Sequence, residues 1–228
     1  MLLFGAMYFV QGIAEPTEGL IAQPVRSLLN RWGHTPGEIA SFSALLALPW
    51  SFKPLYGLAS DFLPIFGTHR RSYLLISTSL TVGGLGWLYL SPPDPESGRW
   101  LLLALLLVPT IGVAVSDVVV DALMVEQGQP LGLTGRLQSV QWFAMYGATV
   151  LVGLLGGWLS ASGRADLGFL ICAATTFVSL LLTLWFVREP RRAASAQELR
   201  TGARTVWRAV LSRRLLAAGA FVFLWSFN

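Results

Sequence analysis

The sequence predicts an all-α protein that crosses a membrane six times. Apolar residues make up 54% of its 228 residues and charged ones only 12%, about half the charged share of an ordinary soluble domain. Six stretches are each long and apolar enough to cross a hydrocarbon core, which takes about 20 residues of helix. Between them the basic residues gather on alternate connections, as they do in membrane proteins of fixed orientation.

The first span is expected at Leu2 to Leu29. No basic stretch precedes it and no small-residue cleavage site follows, so it reads as a retained span rather than a signal peptide. Pro16 and Pro24 fall inside it and are expected to kink it. The others are expected at Ile39 to Phe62, Tyr73 to Leu90, Trp100 to Val125, Leu137 to Ser160 and Leu167 to Val187. Gly153 and Gly157, four apart, and the cluster Gly83, Gly84 and Gly86 are the kind of small residues that let helices approach closely, and are expected at helix contacts. A further apolar run starts at Leu215 and stops at Asn228, too short to span. The expected division is a bundle over 1–187, a basic linker over 188–214 and the truncated start of a seventh span over 215–228.

Orientation follows from the 16 basic residues. Arg70, Arg71, Arg136 and the series from Arg188 to Arg214 lie on the connections after spans two, four and six, which makes that side and the N-terminus cytoplasmic. The net charge of +4 comes mainly from Arg188 to Arg214, so no nucleic-acid partner is implied. In that stretch Leu199, Ala203, Val206 and Val210 recur at helical spacing beside Arg200, Arg204 and Arg208. Either a helix lying on an anionic leaflet or a solvated linker fits.

Ionisable groups inside spans cost roughly 2.5 to 3.5 kcal/mol each on insertion scales, and they mark function by default. Gln11, Glu15 and Glu18, spaced four and three apart, are expected on one helix face over about 10 Å. They are candidates either for proton carriage or for the wall of a wet vestibule. Lys53, the only lysine, lies eight residues before Asp61, about 12 Å from the cytoplasmic end of its span. Asp117 lies nine residues before Glu126, at nearly the same depth, about 13 Å. The two are expected to pair, with Asp121 one turn further on as the competing partner. Gln138 and Gln141 share a face beside Trp142 and near Arg136, which suits either a ligand wall or plain interhelical hydrogen bonding.

Cys172 is the only cysteine, which excludes an internal disulfide and a cysteine-rich metal site. His34 and His69 fall in loops on opposite sides, so no span carries a histidine base or metal ligand. No enzyme, cofactor or metal is expected.

Three motifs carry a resemblance. KPLYGLASDFLPIFGTHRRSYL, from Lys53 to Leu74, resembles the loop between spans two and three of major facilitator proteins. With SDVVVDALMVE at Ser116 to Glu126 and YFVQG at Tyr8 to Gly12, the sequence resembles the folate-biopterin transporter family of that superfamily over nearly its whole length. It is less similar to the muropeptide permease and acetyl-coenzyme A transporter relatives. The resemblance implies a major-facilitator-type N-terminal bundle of 3+3 inverted repeats, whose cargo binds between it and a C-terminal half. It implies a cytoplasmic latch of Gly57, Asp61, Arg70 and Arg71, with Glu126 and Arg136 beside it. A pterin would ask for a carboxylate (Asp117 or Asp121), a stacking ring (Trp50 or Trp142) and a cation for an anionic tail (Lys53 or Arg136). The expected activity is secondary active transport of a folate- or pterin-type molecule, with protons as a possible coupling ion, in a bacterial plasma membrane or a plastid envelope. The rival readings are transport of another anionic solute and a non-transporting membrane scaffold or sensor.

Overall fold

The structure, a computed structural model, describes residues 1–95, 98–190 and 217. The expected linker beyond Pro190 and the expected seventh span lie outside the described residues, save Ala217. Eight α-helices run through the rest: α1 (Leu2–Ala14), α2 (Ala22–Arg31), α3 (Pro36–Ser51), α4 (Lys53–Phe62), α5 (Arg71–Leu90), α6 (Gly98–Gly128), α7 (Thr134–Ser162) and α8 (Ala165–Phe186). The last four are long and apolar enough to cross a membrane. Among the described residues the protein is all-α, and it is an integral membrane protein.

The first two expected spans are not continuous helices. Pro16 has no N–H to bond back and pushes the residue before it out of the helical region, so Glu15 is extended, at φ −65° and ψ 121°. The chain turns over residues 15–21 and restarts as α2. Gln11, Glu15 and Glu18 therefore do not share a helix face: only Gln11 is in α1. Likewise Pro54 cannot donate to Trp50, so the second span breaks at Phe52 into α3 and α4, with Pro54 tolerated in the first turn of α4. α3 opens on a capping box in which Thr35 and Glu38 satisfy each other's backbone N–H.

α5 packs against α6 and α8, α1 against α7 and α8, and α3 and α4 against α6. The buried core falls into two apolar clusters. One contains Ile13, Leu20, Leu29, Phe42, Leu85, Leu106, Leu159 and Phe169. The other contains Phe4, Met7, Tyr8, Leu74, Val119, Val120 and Met124. On α1, Gln11 lies between Tyr8 and Ile13; on α6, Ser116 and Asp117 lie between Leu106 and Val119. A partial polar layer thus lies between the two clusters, bridged by Phe9, which packs against both.

Of the glycines expected at helix contacts, only Gly84 is closely packed. A methyl group at Gly153, Gly157, Gly83 or Gly86 would meet nothing within 4 Å. The packed positions are Gly84, Gly12 and Gly112, where a methyl group would lie 2.9 Å from Pro109 of α6, 2.8 Å from Ala148 of α7 and 2.6 Å from the Ser77 carbonyl. Four-residue spacing marks a helix face, and it does not say whether that face meets protein or lipid.

Candidate functional site

Lys53 begins α4, where the helix dipole disfavours a cation. Its ammonium finds compensation in Asp117 of α6, with Nζ 2.6 Å from Oδ2, and it lies 4.5 Å over the Trp50 ring. Asp117 is 7% exposed. The expected pair thus forms, with Lys53 in the first turn after the break at Phe52.

Asp121, the competing partner, is taken by other groups. The Tyr8 hydroxyl donates to its Oδ1 at 2.5 Å and the Gln141 amide at 3.2 Å, while Gln138 donates to Gln141 at 2.9 Å. Gln11 donates to the Ser116 hydroxyl at 3.1 Å, and its own Oε1 is buried with no partner among the described residues.

Glu15 serves the chain break directly. Its carboxylate accepts the Thr17 N–H at 3.0 Å, the Glu18 N–H at 2.9 Å and the Thr17 hydroxyl, so it satisfies donors that the interrupted helix leaves free. Beside the break is a cavity of about 390 Å³ whose lining includes Gln11, Glu15, Glu18, Trp50 and Asp117. Five expected ligand residues meet there. Lys53, Asp121, Gln138, Gln141 and Trp142 do not line it: Lys53 reaches Asp117 from outside the lining, Asp121 is held by Tyr8 and Gln141, Gln138 is exposed on α7, and Trp142, half exposed, stacks on Tyr146 at 5.6 Å between ring centroids.

At the other end of α4 the turn Ile65–Thr68 carries positive φ at Phe66 (51°) and Gly67 (78°), closed by backbone bonds of 3.1 and 3.0 Å, the geometry of a type I′ hairpin turn. It delivers Arg70 to the head of α5, where its side chain is 11% exposed. One arm lies 2.6 Å from Asp61 and 2.5 Å from Glu126, Nε donates to Glu126 at 3.0 Å, and Nη1 donates to Ser60 at 2.7 Å. A planar fork suits such convergence. Gly57, one turn before Asp61, admits Val118 of α6, 3.4 Å from where a Cβ would lie.

The other expected members go elsewhere. Arg136 is exposed on the first turn of α7 and takes no part in the cluster. Arg71 turns to α8, donating to the Leu184 carbonyl at 3.1 Å. Sequence reasoning missed Glu189, whose carboxylate accepts the backbone N–H groups of His69 (2.8 Å), Arg70 (2.8 Å) and Arg71 (3.0 Å). Burial works against the charge, but those N–H groups hold the Glu189 carboxyl below its ordinary value. No local pattern signals a contact across so much sequence. Tyr8 and Ser60 were missed as well, although Tyr8 lies three residues before Gln11, on the same helix face.

A family model described as the BT1 family matches residues 11–226. The chain belongs to the BT1 family. It is 33% identical to a folate-biopterin transporter of Synechocystis over 99% of its own length and 45% of that protein. It is 33% identical to probable folate-biopterin transporter 4 of Arabidopsis thaliana over 77% of this chain and 35% of that one. With folate transporter 1 of Plasmodium falciparum it shares 26% identity over 47% of this chain and 21% of the other. The chain therefore spans less than half the length of these curated relatives. No solved structure matches.

Proposed function

We propose that this BT1 chain forms the N-terminal half of a secondary active transporter for folate- or pterin-type molecules, working by alternating access. In this reading its six spans are α1 with α2, α3 with α4, and α5 to α8, arranged as the 3+3 repeat of a major facilitator protein, with the N-terminus and the Arg70 cluster on the cytoplasmic side.

The observation that carries the proposal is the polar layer inside an apolar bundle. A lysine–aspartate pair at 2.6 Å, a broken helix and a cavity of about 390 Å³ occur together where lipid-facing structure would have none of them. Discontinuous helices near the midplane are where transporters hold cargo, because unwound backbone offers groups that a regular helix consumes. The relatives' names supply the class of cargo. In the cavity lining Trp50 offers a ring for stacking and Asp117 a carboxylate for the amino and N–H edge of a pterin, while Lys53, outside the lining but in contact with both, is a cation that exchanges partners as cargo arrives. Glu15, Glu18, Asp117 and Asp121 are the proton-carrier candidates for coupling.

The Arg70 cluster is the proposed latch. Asp61, Glu126 and Ser60 lie on two different helices, so a relative movement of α4 and α6 breaks contacts that one guanidinium makes at once.

Uptake of labelled folates and pterins by the full-length protein in vesicles, with and without an imposed pH gradient, tests the reading. Saturable uptake that tailless pterins compete is expected. Failure of every folate and pterin to enter would end it, and uptake indifferent to the gradient would remove the proton coupling alone.

A further inference from the structure

At the head of α5 the Thr68 hydroxyl accepts the Ser72 N–H at 3.1 Å, and the N–H groups before it are satisfied from elsewhere. Arg70 occupies its N-cap position and makes no side-chain cap, where a Ser, Thr, Asp or Asn would normally accept a free N–H. The Arg70 side chain is spent on Asp61, Glu126 and Ser60. The three successive N–H groups before Ser72, those of His69, Arg70 and Arg71, go to Glu189, just past the end of α8. The exchange is mutual, since Arg71 at the head of α5 caps the last turn of α8 through the Leu184 carbonyl. Two helix ends thus satisfy each other, with an anion at an N-terminus and a cation at a C-terminus, the arrangement each dipole favours.

The consequence concerns Arg70 itself. The residue whose N–H is held by Glu189 at 2.8 Å is the one whose guanidinium bridges α4 and α6. The Arg70 backbone can leave Glu189 only by moving the root of that side chain. Glu189 lies three residues past Phe186, the end of α8, and is followed by Pro190, so its carboxylate sits on the non-helical segment that leaves α8.

We propose that Glu189 is a positioning residue for the Arg70 cluster, and that the reciprocal contact between the head of α5 and the end of α8 ties the position of α8 to the making and breaking of the Arg70 ion pairs. This rests on the reading of that cluster as a conformational latch. The occupant of the cap is part of the chain itself, and no external ligand is needed.

The test is a double-variant cycle in the full-length protein, read as the initial uptake rate of labelled folate at saturation, as KM, and as thermal unfolding of the same preparations. Glu189→Gln removes the charge and replaces one of two accepting oxygens with a donor, and is expected to lower the maximal rate about tenfold, the effect of losing one charge-assisted hydrogen bond, with KM within twofold of the parent. Glu189→Asp keeps the charge and is expected to recover most of the rate. In a Glu126→Gln background, where the cluster is already broken, Glu189→Gln is expected to cost less than about twofold more, because residues acting through one element are not additive. Fully multiplicative losses, or a parental rate for Glu189→Gln, would overturn the proposal. If Glu189→Gln does not reach the membrane, the same cycle run with Glu189→Ala, which likewise removes the accepting carboxylate, decides it by the same criterion. If Glu126→Gln alone leaves uptake untouched, the latch reading fails, and this inference fails with it; a slowed Glu126→Gln with additive Glu189 variants sinks the inference alone.

Discussion

Lys53 Nζ lies 2.6 Å from Asp117 Oδ2, joining the first turn of α4 to the middle of α6 across the polar layer. A lone charge left there by removing one partner is expected to cost about 3 kcal/mol, the low end of the range for buried pairs, since the Lys53 side chain is 38% exposed. Lys53→Met and Asp117→Asn should each lower the thermal midpoint of the purified full-length protein. The charge-neutral double variant should regain most of the stability while uptake stays abolished, because a static pair can be replaced and a cargo-exchanging one cannot. Full uptake by the double variant would reduce the pair to scaffolding.

Arg70 makes contacts that a lysine cannot reproduce. Its fork reaches Asp61, Glu126 and Ser60 together, whereas an ammonium is a single point on a flexible stem. Arg70→Lys is expected to slow uptake by the full-length protein about tenfold, equivalent to one charge-assisted hydrogen bond. Arg136→Ala, on an exposed residue outside the cluster, should leave it within twofold. Equal losses in the two variants would speak for a general need for positive charge on that side.

How far the sequence foretold this arrangement depended on the range of each interaction. Depth counting from Asp61 and Glu126 placed Lys53 and Asp117 opposite each other because a helix converts residue number into height at about 1.5 Å per residue. The same counting misplaced Glu15 and Glu18, since it assumed a helix that Pro16 ends. The motif resemblance brought Asp61, Arg70 and Glu126 together correctly, yet assigned Arg71 and Arg136 to the same cluster, where side-chain direction sends one to Leu184 and the other outward. Glu189 was illegible for a physical reason: what it binds are backbone N–H groups, which every residue has and no composition marks.

The glycines divide by what faces them. Gly112→Ala would press a methyl against Thr81 and the Ser77 carbonyl, 2.6 Å away, in the α5–α6 contact, and should destabilise the protein by about 1–3 kcal/mol. Gly83→Ala, with nothing within 4 Å, should be neutral or stabilise by up to about 1 kcal/mol through helix propensity. Thermal unfolding of the two variants in the same detergent checks the order, and the reverse order would mean that α5 and α6 are packed through another face.

A pH dependence is expected at the head of α3, before the apolar stretch that begins at Ile39. The Glu38 carboxyl, held by the Thr35 N–H and hydroxyl and by Arg99, is pulled down from 4.5 to about 2. Because the folded value lies below the unfolded one, the proton binds the unfolded chain more readily, and the stabilisation from the ionised carboxylate is complete above about pH 4.5 and is lost as the pH falls toward 2. Glu38→Gln should therefore melt below the parent at pH 7, and the gap should narrow between pH 4.5 and pH 2.5. His34, whose Nδ1 lies 3.7 Å from Glu38, is the nearby group that could confuse the result. Repeating the comparison in a His34→Asn background separates the two, and a gap that stayed constant across that acid range would mean that Glu38 acts through shape and not through charge.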